Sequence, residues 1–141
     1  MIKLITRELN MADLFSEDWM KSFQNLWNAE PELKDALAAI NFSSVIGYGF
    51  PGNDQAIGFI NVVNGEVIEA GAYDGRELSW DIRAEEKNWN KWLSSGIGMA
   101  GLGSAFTFGK LKFKVGDFKG MLKDPRMAGP FIKSFGAMGK V

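Results

Sequence analysis

Residues 78–93 read Leu78-Ser79-Trp80-Asp81-Ile82-Arg83-Ala84-Glu85-Glu86-Lys87-Asn88-Trp89-Asn90-Lys91-Trp92-Leu93, and the spacing of their apolar side chains changes once. Through Ile82 it alternates, Leu78, Trp80 and Ile82 against Ser79, Asp81 and Arg83, the two-residue period of a strand with one buried and one wet face. From Ala84 it becomes helical. Glu85 and Glu86 occupy a first turn, where the macrodipole favours acids, and Trp89, Trp92 and Leu93 share one face until the Ser94-Ser95-Gly96 breaker.

Upstream of this boundary, three turn signals follow in order: Pro51-Gly52-Asn53-Asp54, Asn64-Gly65 and Asp74-Gly75. Each separates segments of strand character, near 42–50, 55–63, 66–73 and 78–84, so a meander is expected. Ahead of it, Ser16-Glu17-Asp18 supplies an N-cap and two acids to a helix whose apolar face is Trp19, Met20, Phe23, Leu26 and Trp27. Pro31 opens a second helix carrying Leu33, Leu37 and Ile40, which should end near Asn41.

Downstream, Lys110-Leu111-Lys112-Phe113-Lys114-Val115 predicts a fifth strand with its three lysines on one side, facing solvent and discouraging edge pairing. Because it follows a helical excursion, it is open to parallel pairing with a neighbour. After Gly116 the chain turns helical again through Phe118, Met121, Leu122, Met127, Phe131, Phe135 and Met138, with Pro125 and Pro130 expected to break the tail into short pieces. Hairpin-joined strands with helices at the ends argue for an α+β domain.

Composition narrows the chemistry. The 141 residues suit one domain, and 46% hydrophobic content suits a folded one. There is no His and no Cys. Thiolate nucleophiles, disulfides, Ser-His-acid arrangements and His/Cys metal sites are therefore out of reach. The first eight residues mix charges of both signs among apolar ones and never form a signal-peptide core, and no later run approaches the roughly 20 apolar residues of a membrane span. A cytoplasmic protein is expected.

The net charge of −1 conceals a division: residues 1–86 hold 6 basic against 15 acidic side chains, and residues 87–141 hold 10 against 2. The basic part suits an anionic membrane surface or an acidic partner; alternatively, the two parts neutralise each other in the fold. Nucleic-acid binding is disfavoured by the sequence pI of about 5.5.

Two motifs carry little weight. Gly96-Ile97-Gly98-Met99-Ala100-Gly101 matches a dinucleotide-binding pattern, but that motif needs a strand feeding its first glycine, and here the tryptophan-bearing helix precedes it. Glu66, Glu69, Asp81, Glu85 and Glu86 are the carboxylates available for acid-base work. Asp81 on a polar strand face and Glu85 and Glu86 in a first helical turn are explained without catalysis.

Residues 97–138 carry a surplus of Phe and Met among glycines. Met adapts to irregular apolar shapes, and each of Gly129, Gly136 and Gly139 costs a helix about 0.5–1 kcal/mol relative to alanine. That combination suits a lid over an apolar cavity, although composition alone favours a core-packing helix near a frayed terminus.

From Phe15 onward the chain resembles the sterol carrier protein 2 family. The matching pieces are Trp19 with Phe23, Pro31-Glu32-Leu33, the sheet through Asn64-Gly65, Trp80-Asp81-Ile82-Arg83-Ala84 leading into Trp89 and Trp92-Leu93, and Gly109-Lys110-Leu111-Lys112-Phe113 before the Met-bearing helix. The resemblance implies an α+β fold with a five-stranded, mainly antiparallel sheet covered on one side by helices, and an apolar tunnel for sterols, acyl chains or other lipids. It divides the chain into an N-terminal extension, 1–14, and a lipid-binding domain, 15–141. Departures from the family pattern lie in the first fourteen residues and in Gly96–Gly109. The ending Gly139-Lys140-Val141 is not a peroxisomal address.

Periodicity and resemblance together nominate Trp27, Ile46, Phe59 and Trp80 from the first helix and sheet, and Trp92, Met99, Leu102, Phe106, Met121, Met127, Phe131 and Phe135 from the later helices, as ligand-lining residues. No catalytic residue, metal or cofactor is expected. The implied function is noncatalytic binding or transfer of a sterol or other lipid; the alternative is an accessory subunit presenting a lipophilic substrate to a metabolic enzyme complex. Expected partners are the lipid, transiently a membrane surface or a lipid-metabolic enzyme, and no nucleic acid.

Overall fold

The computed structural model describes residues 13–141, so the extension expected over 1–14 lies outside the described residues except for Asp13 and Leu14. Helix α1 spans Glu17–Asn28 and the short α2 Lys34–Ala38. Strands β1 (Ser44–Gly49), β2 (Gly58–Val63), β3 (Glu66–Ala72) and β4 (Trp80–Arg83) follow. Then come α3 (Glu86–Ser95), α4 (Met99–Thr107), β5 (Lys112–Val115), α5 (Phe118–Lys123) and α6 (Pro125–Met138).

The five strands form one mixed sheet in the order β3-β2-β1-β4-β5. Asn64 and Gly65 close the β2–β3 hairpin with φ of 48° and 86°, as a type I′ turn requires. Gly65 also lies against α2: a Cβ there would sit 2.4 Å from the Lys34 carbonyl oxygen. The bare backbone lets the Trp27 indole donate to the Gly65 carbonyl at 2.9 Å, and Gly65 N–H donates to the Phe42 carbonyl at 2.9 Å. One turn thus ties both early helices to the sheet.

The four-strand meander expected from the turn signals is not formed. β4 lies on the far side of β1 and runs parallel to it, Ile46 opposite Trp80 and Tyr48 opposite Ile82. Asp74-Gly75 turns the chain into a crossover, where Arg76 grips Asp74 and Glu69 and stacks on Phe59. The physical reason is that β1 is buried along nearly its whole length and needs a partner at each edge. β5, left open to parallel pairing, is antiparallel to β4, and the parallel pair is β1–β4.

The second face of β4 is not wet. Asp81 and Arg83 are 7% and 1% exposed. The Arg83 guanidinium donates to both Asp81 oxygens at 2.6 and 3.0 Å and to the Phe50 and Asn53 carbonyls at 3.0 and 2.8 Å. The connection from Phe50 to Ile57 therefore folds over this face, and charge-assisted bonds satisfy the buried pair. Leu78 lies before the strand begins and approaches Gly47 on this same side, so it does not share a face with Trp80.

Pro130 does not break the tail. α6 runs continuously from Pro125, with Asp124 accepting from the Arg126 N–H at 3.0 Å as its cap. Pro130 forfeits only the bond to the Arg126 carbonyl, and it is buried on the inner side of the helix. Where α6 ends, Gly139 approaches the Leu93 carbonyl so closely that a Cβ would lie 2.3 Å from it. No helix among the described residues is long and apolar enough to cross a membrane.

Candidate functional site

Strand alternation decides which sheet residues meet the helices. Ile46 and Tyr48 on β1 and Trp80 on β4 share one face, and α1, α2 and α6 close over it. Between them lies a narrow cavity lined by Trp27, Leu37, Phe42, Ile46, Tyr48, Trp80, Met127, Phe131 and Ser134. Its volume is about 10 Å3, the room one water needs. Met127, Phe131 and Ser134 are spaced by four and three residues, so one stripe of α6 forms the wall opposite the sheet.

Of the nominated residues, the structure brings Trp27, Ile46, Trp80, Met127 and Phe131 to this cavity. Phe135 and Trp92 lie behind it, Phe135 stacked on Trp89 at 6.0 Å and Trp92 edge-on to Phe135 at 6.1 Å. Phe106 stacks on Phe118 at 4.1 Å, and Leu102 and Met121 are buried outside the lining. Met99 is half exposed. Phe59 lies on the opposite face, because it pairs with Gly47 rather than with Ile46 or Tyr48, and Arg76 covers it.

Four lining residues escaped the sequence reading. Leu37 stands on the stripe read for the second helix and Tyr48 two residues after Ile46, so both carried a periodic signal. Ser134 follows Phe131 by one turn, its polarity masking the position; its hydroxyl donates to the Phe131 carbonyl at 2.5 Å. Phe42 lies in a loop, where no periodicity applies.

The wall carries no charge. Burial alone pushes the Tyr48 phenol well above its ordinary ionisation range, so it remains neutral. Trp80, Met127 and Phe42 also line an open cleft beside the cavity. Its rim is polar, with Asn41, Ser43, Ser44, Ser79 and the Asp124–Arg126 ion pair. Ser44 Oγ is buried there without a hydrogen-bond partner among the described residues. An apolar interior thus opens toward a polar rim at one end. Among the described residues no group of three carboxylates is placed to hold a metal ion.

This architecture recurs in solved structures. Sterol carrier protein 2 superposes with a TM-score of 0.73 over 92% of this chain and 99% of its own, at 17% identity. The chain has the sterol carrier protein 2 fold. A conserved hypothetical protein from Thermus thermophilus shares the fold with a TM-score of 0.66, 16% identity and coverage of 89% of this chain and 90% of that one. The ubiquinone synthesis protein UbiJ-SCP2 matches with a TM-score of 0.54 at 13% identity, over 84% of this chain and 86% of its own. No family model and no curated protein matches the sequence.

Proposed function

We propose that residues 15–141 bind one lipid, noncatalytically, with its apolar part between the sheet and α6 and its polar end toward the Ser44–Ser79 rim. The observation that carries this reading is the uncharged wall of Trp27, Phe42, Ile46, Trp80, Met127 and Phe131 opening on a polar cleft that holds three serines, Asn41 and the Asp124–Arg126 pair. Sterols and acyl chains have this polarity, and apolar pockets with a few placed polar groups are the usual form of small-ligand sites. The shared fold with sterol carrier protein 2 supports the same ligand class. Ligand pockets run to about 300–1,000 Å3, so lipid entry needs a wider space than this one, which an outward swing of α6 from β4 would supply. The noncatalytic reading is supported by the absence of carboxylates from the wall and by Asp81 being bound to Arg83 on the other face.

Native mass spectrometry with solvent extraction of the purified protein tests the proposal. A co-purifying lipid, or saturable uptake of fluorescent fatty acid or steroid, is expected; the absence of both would sink it.

A second reading has its own support in the fold shared with a ubiquinone synthesis protein: the chain presents a lipophilic substrate to an enzyme complex. The opposite charge balances of residues 1–86 and 87–141 suit such docking. Pull-down from the native host should then recover a stoichiometric enzyme, whereas a free carrier should yield lipid alone.

A further inference from the structure

From Lys87 to Gly116 the chain has five lysines and no acidic residue. Inside this interval lies α4, whose residues carry no charge and which buries only Leu102 and Ala105. Its remaining surface is exposed and consists largely of small and apolar groups. Met99 at its start is 49% exposed, Phe108 at its C-cap 76%, and Val115 on the neighbouring edge strand 45%. Phe108 borders a cleft with Lys87, Lys110 and Lys112; the acid there is Glu85, 3.7 Å from Lys87. Lys110 and Lys112 make no ion pair among the described residues, and Lys114 donates to the Asp54 carbonyl at 3.2 Å.

We infer that α4 and the turn from Phe108 to Lys114 dock on an anionic lipid bilayer. An exposed ring beside unpaired lysines matches both layers of such a surface: Phe108 enters the acyl boundary, and the ammonium groups of Lys110 and Lys112, which border the same cleft, meet lipid phosphates. The uncharged, glycine-containing helix offers few side-chain groups with which to recognise a protein by hydrogen bonding. The inference deepens the lipid-binding reading and draws its purpose from it. A continuous series of rings leads from this surface inward: Phe106 on Phe118 at 4.1 Å, Phe118 on Phe113 at 5.2 Å, and Phe113 on Trp80 at 5.7 Å and Phe131 at 6.0 Å. Movement of α4 in the bilayer would be felt at the cavity through these rings.

Flotation with phosphatidylcholine–phosphatidylglycerol vesicles, against vesicles of phosphatidylcholine alone, is the test. The full chain should bind the anionic vesicles and lose binding in high salt. Lys110→Gln/Lys112→Gln/Lys114→Gln should weaken binding by roughly a hundredfold, and Phe108→Ser should weaken it without altering the salt dependence. Neither variant touches the cavity, so fluorescent fatty-acid uptake from solution, measured alongside, reports that each is folded. Uptake without vesicle binding would overturn the docking surface and leave the carrier reading standing. Vesicle binding without uptake would do the reverse. Binding that depends on the lysines but is indifferent to Phe108→Ser would also overturn the docking of α4, reducing the effect to charge attraction.

Discussion

Trp80 on β4 and Phe131 on α6 meet edge to face, ring centroids 5.9 Å apart and planes at 79°. Phe113 touches both rings, so sheet and C-terminal helix are joined at the cavity wall by a three-ring cluster. Each such pair is worth about 0.5–1.5 kcal/mol beyond the area it buries. These contacts hold α6 against β4, and a lipid bound as proposed would replace them.

Phe131→Asp is expected to abolish lipid uptake while β1, β2 and β3 stay folded, because it places a carboxylate in an uncharged wall far from the Arg83 side of the sheet. A fluorescent fatty-acid titration with circular dichroism checks this. Uptake equal to the wild type would mean that the cavity lies elsewhere.

Gly129→Ala and Gly136→Ala should each raise stability by about 0.5–1 kcal/mol, since a Cβ at either position meets nothing within 4 Å. A stiffer α6 should also slow uptake in stopped-flow mixing. Gly139→Ala should destabilise instead, because its Cβ would strike the Leu93 carbonyl.

Lys133 on α6 donates to Glu32 beside α2 at 2.7 Å, and that hydrogen bond, with the attraction between the charges, lowers the Glu32 pKa from 4.5. Its folded value lies below its unfolded one, so the tether is present above about pH 4.5 and is lost as pH falls through the lowered value. Uptake of a neutral steroid should quicken below that range. In Lys133→Gln the acid step should vanish, with uptake already fast at neutral pH.

Tyr48 shifts the other way. Its folded value is raised above the unfolded 10.0, so its contribution is complete below pH 10 and declines as pH rises beyond it, by about 1.4 kcal/mol per pH unit. Urea denaturation between pH 9 and 11 should show this loss, and Tyr48→Phe should remove that share of it.

Arg83→Ala should cost about 3–5 kcal/mol, since it strands a buried carboxylate and two carbonyls. Thermal melts should show a large drop, while ligand affinity of the remaining folded protein stays near wild type.

Much of the fold was legible because the change of period at Ala84, the Asn64-Gly65 turn and the helix caps are local signals. The strand neighbours of β4 were not, since alternation assigns faces but not edges. Phe59 shows the limit sharply: it is apolar, buried and on a strand, yet its one-residue offset from Ile60 puts it behind the sheet. Arg83 looked like a wet-face residue because the segment that covers it is a loop without periodicity. At the site, Met127 and Phe131 were readable from helical spacing, whereas Phe42 depended on tertiary placement alone.

The narrowness of the cavity has a consequence for binding strength. On the proposed reading, Phe131 returns to Trp80 and Phe113 whenever a lipid leaves, so the protein itself competes for the space. Observed affinity is then the intrinsic affinity scaled by the fraction of molecules with α6 swung out, and every 1.4 kcal/mol of ring contact weakens it about tenfold. In the proposed carrier, tight self-closure would therefore make a poor storage vessel and a good donor, one that gives up its cargo without any chemical step to force release.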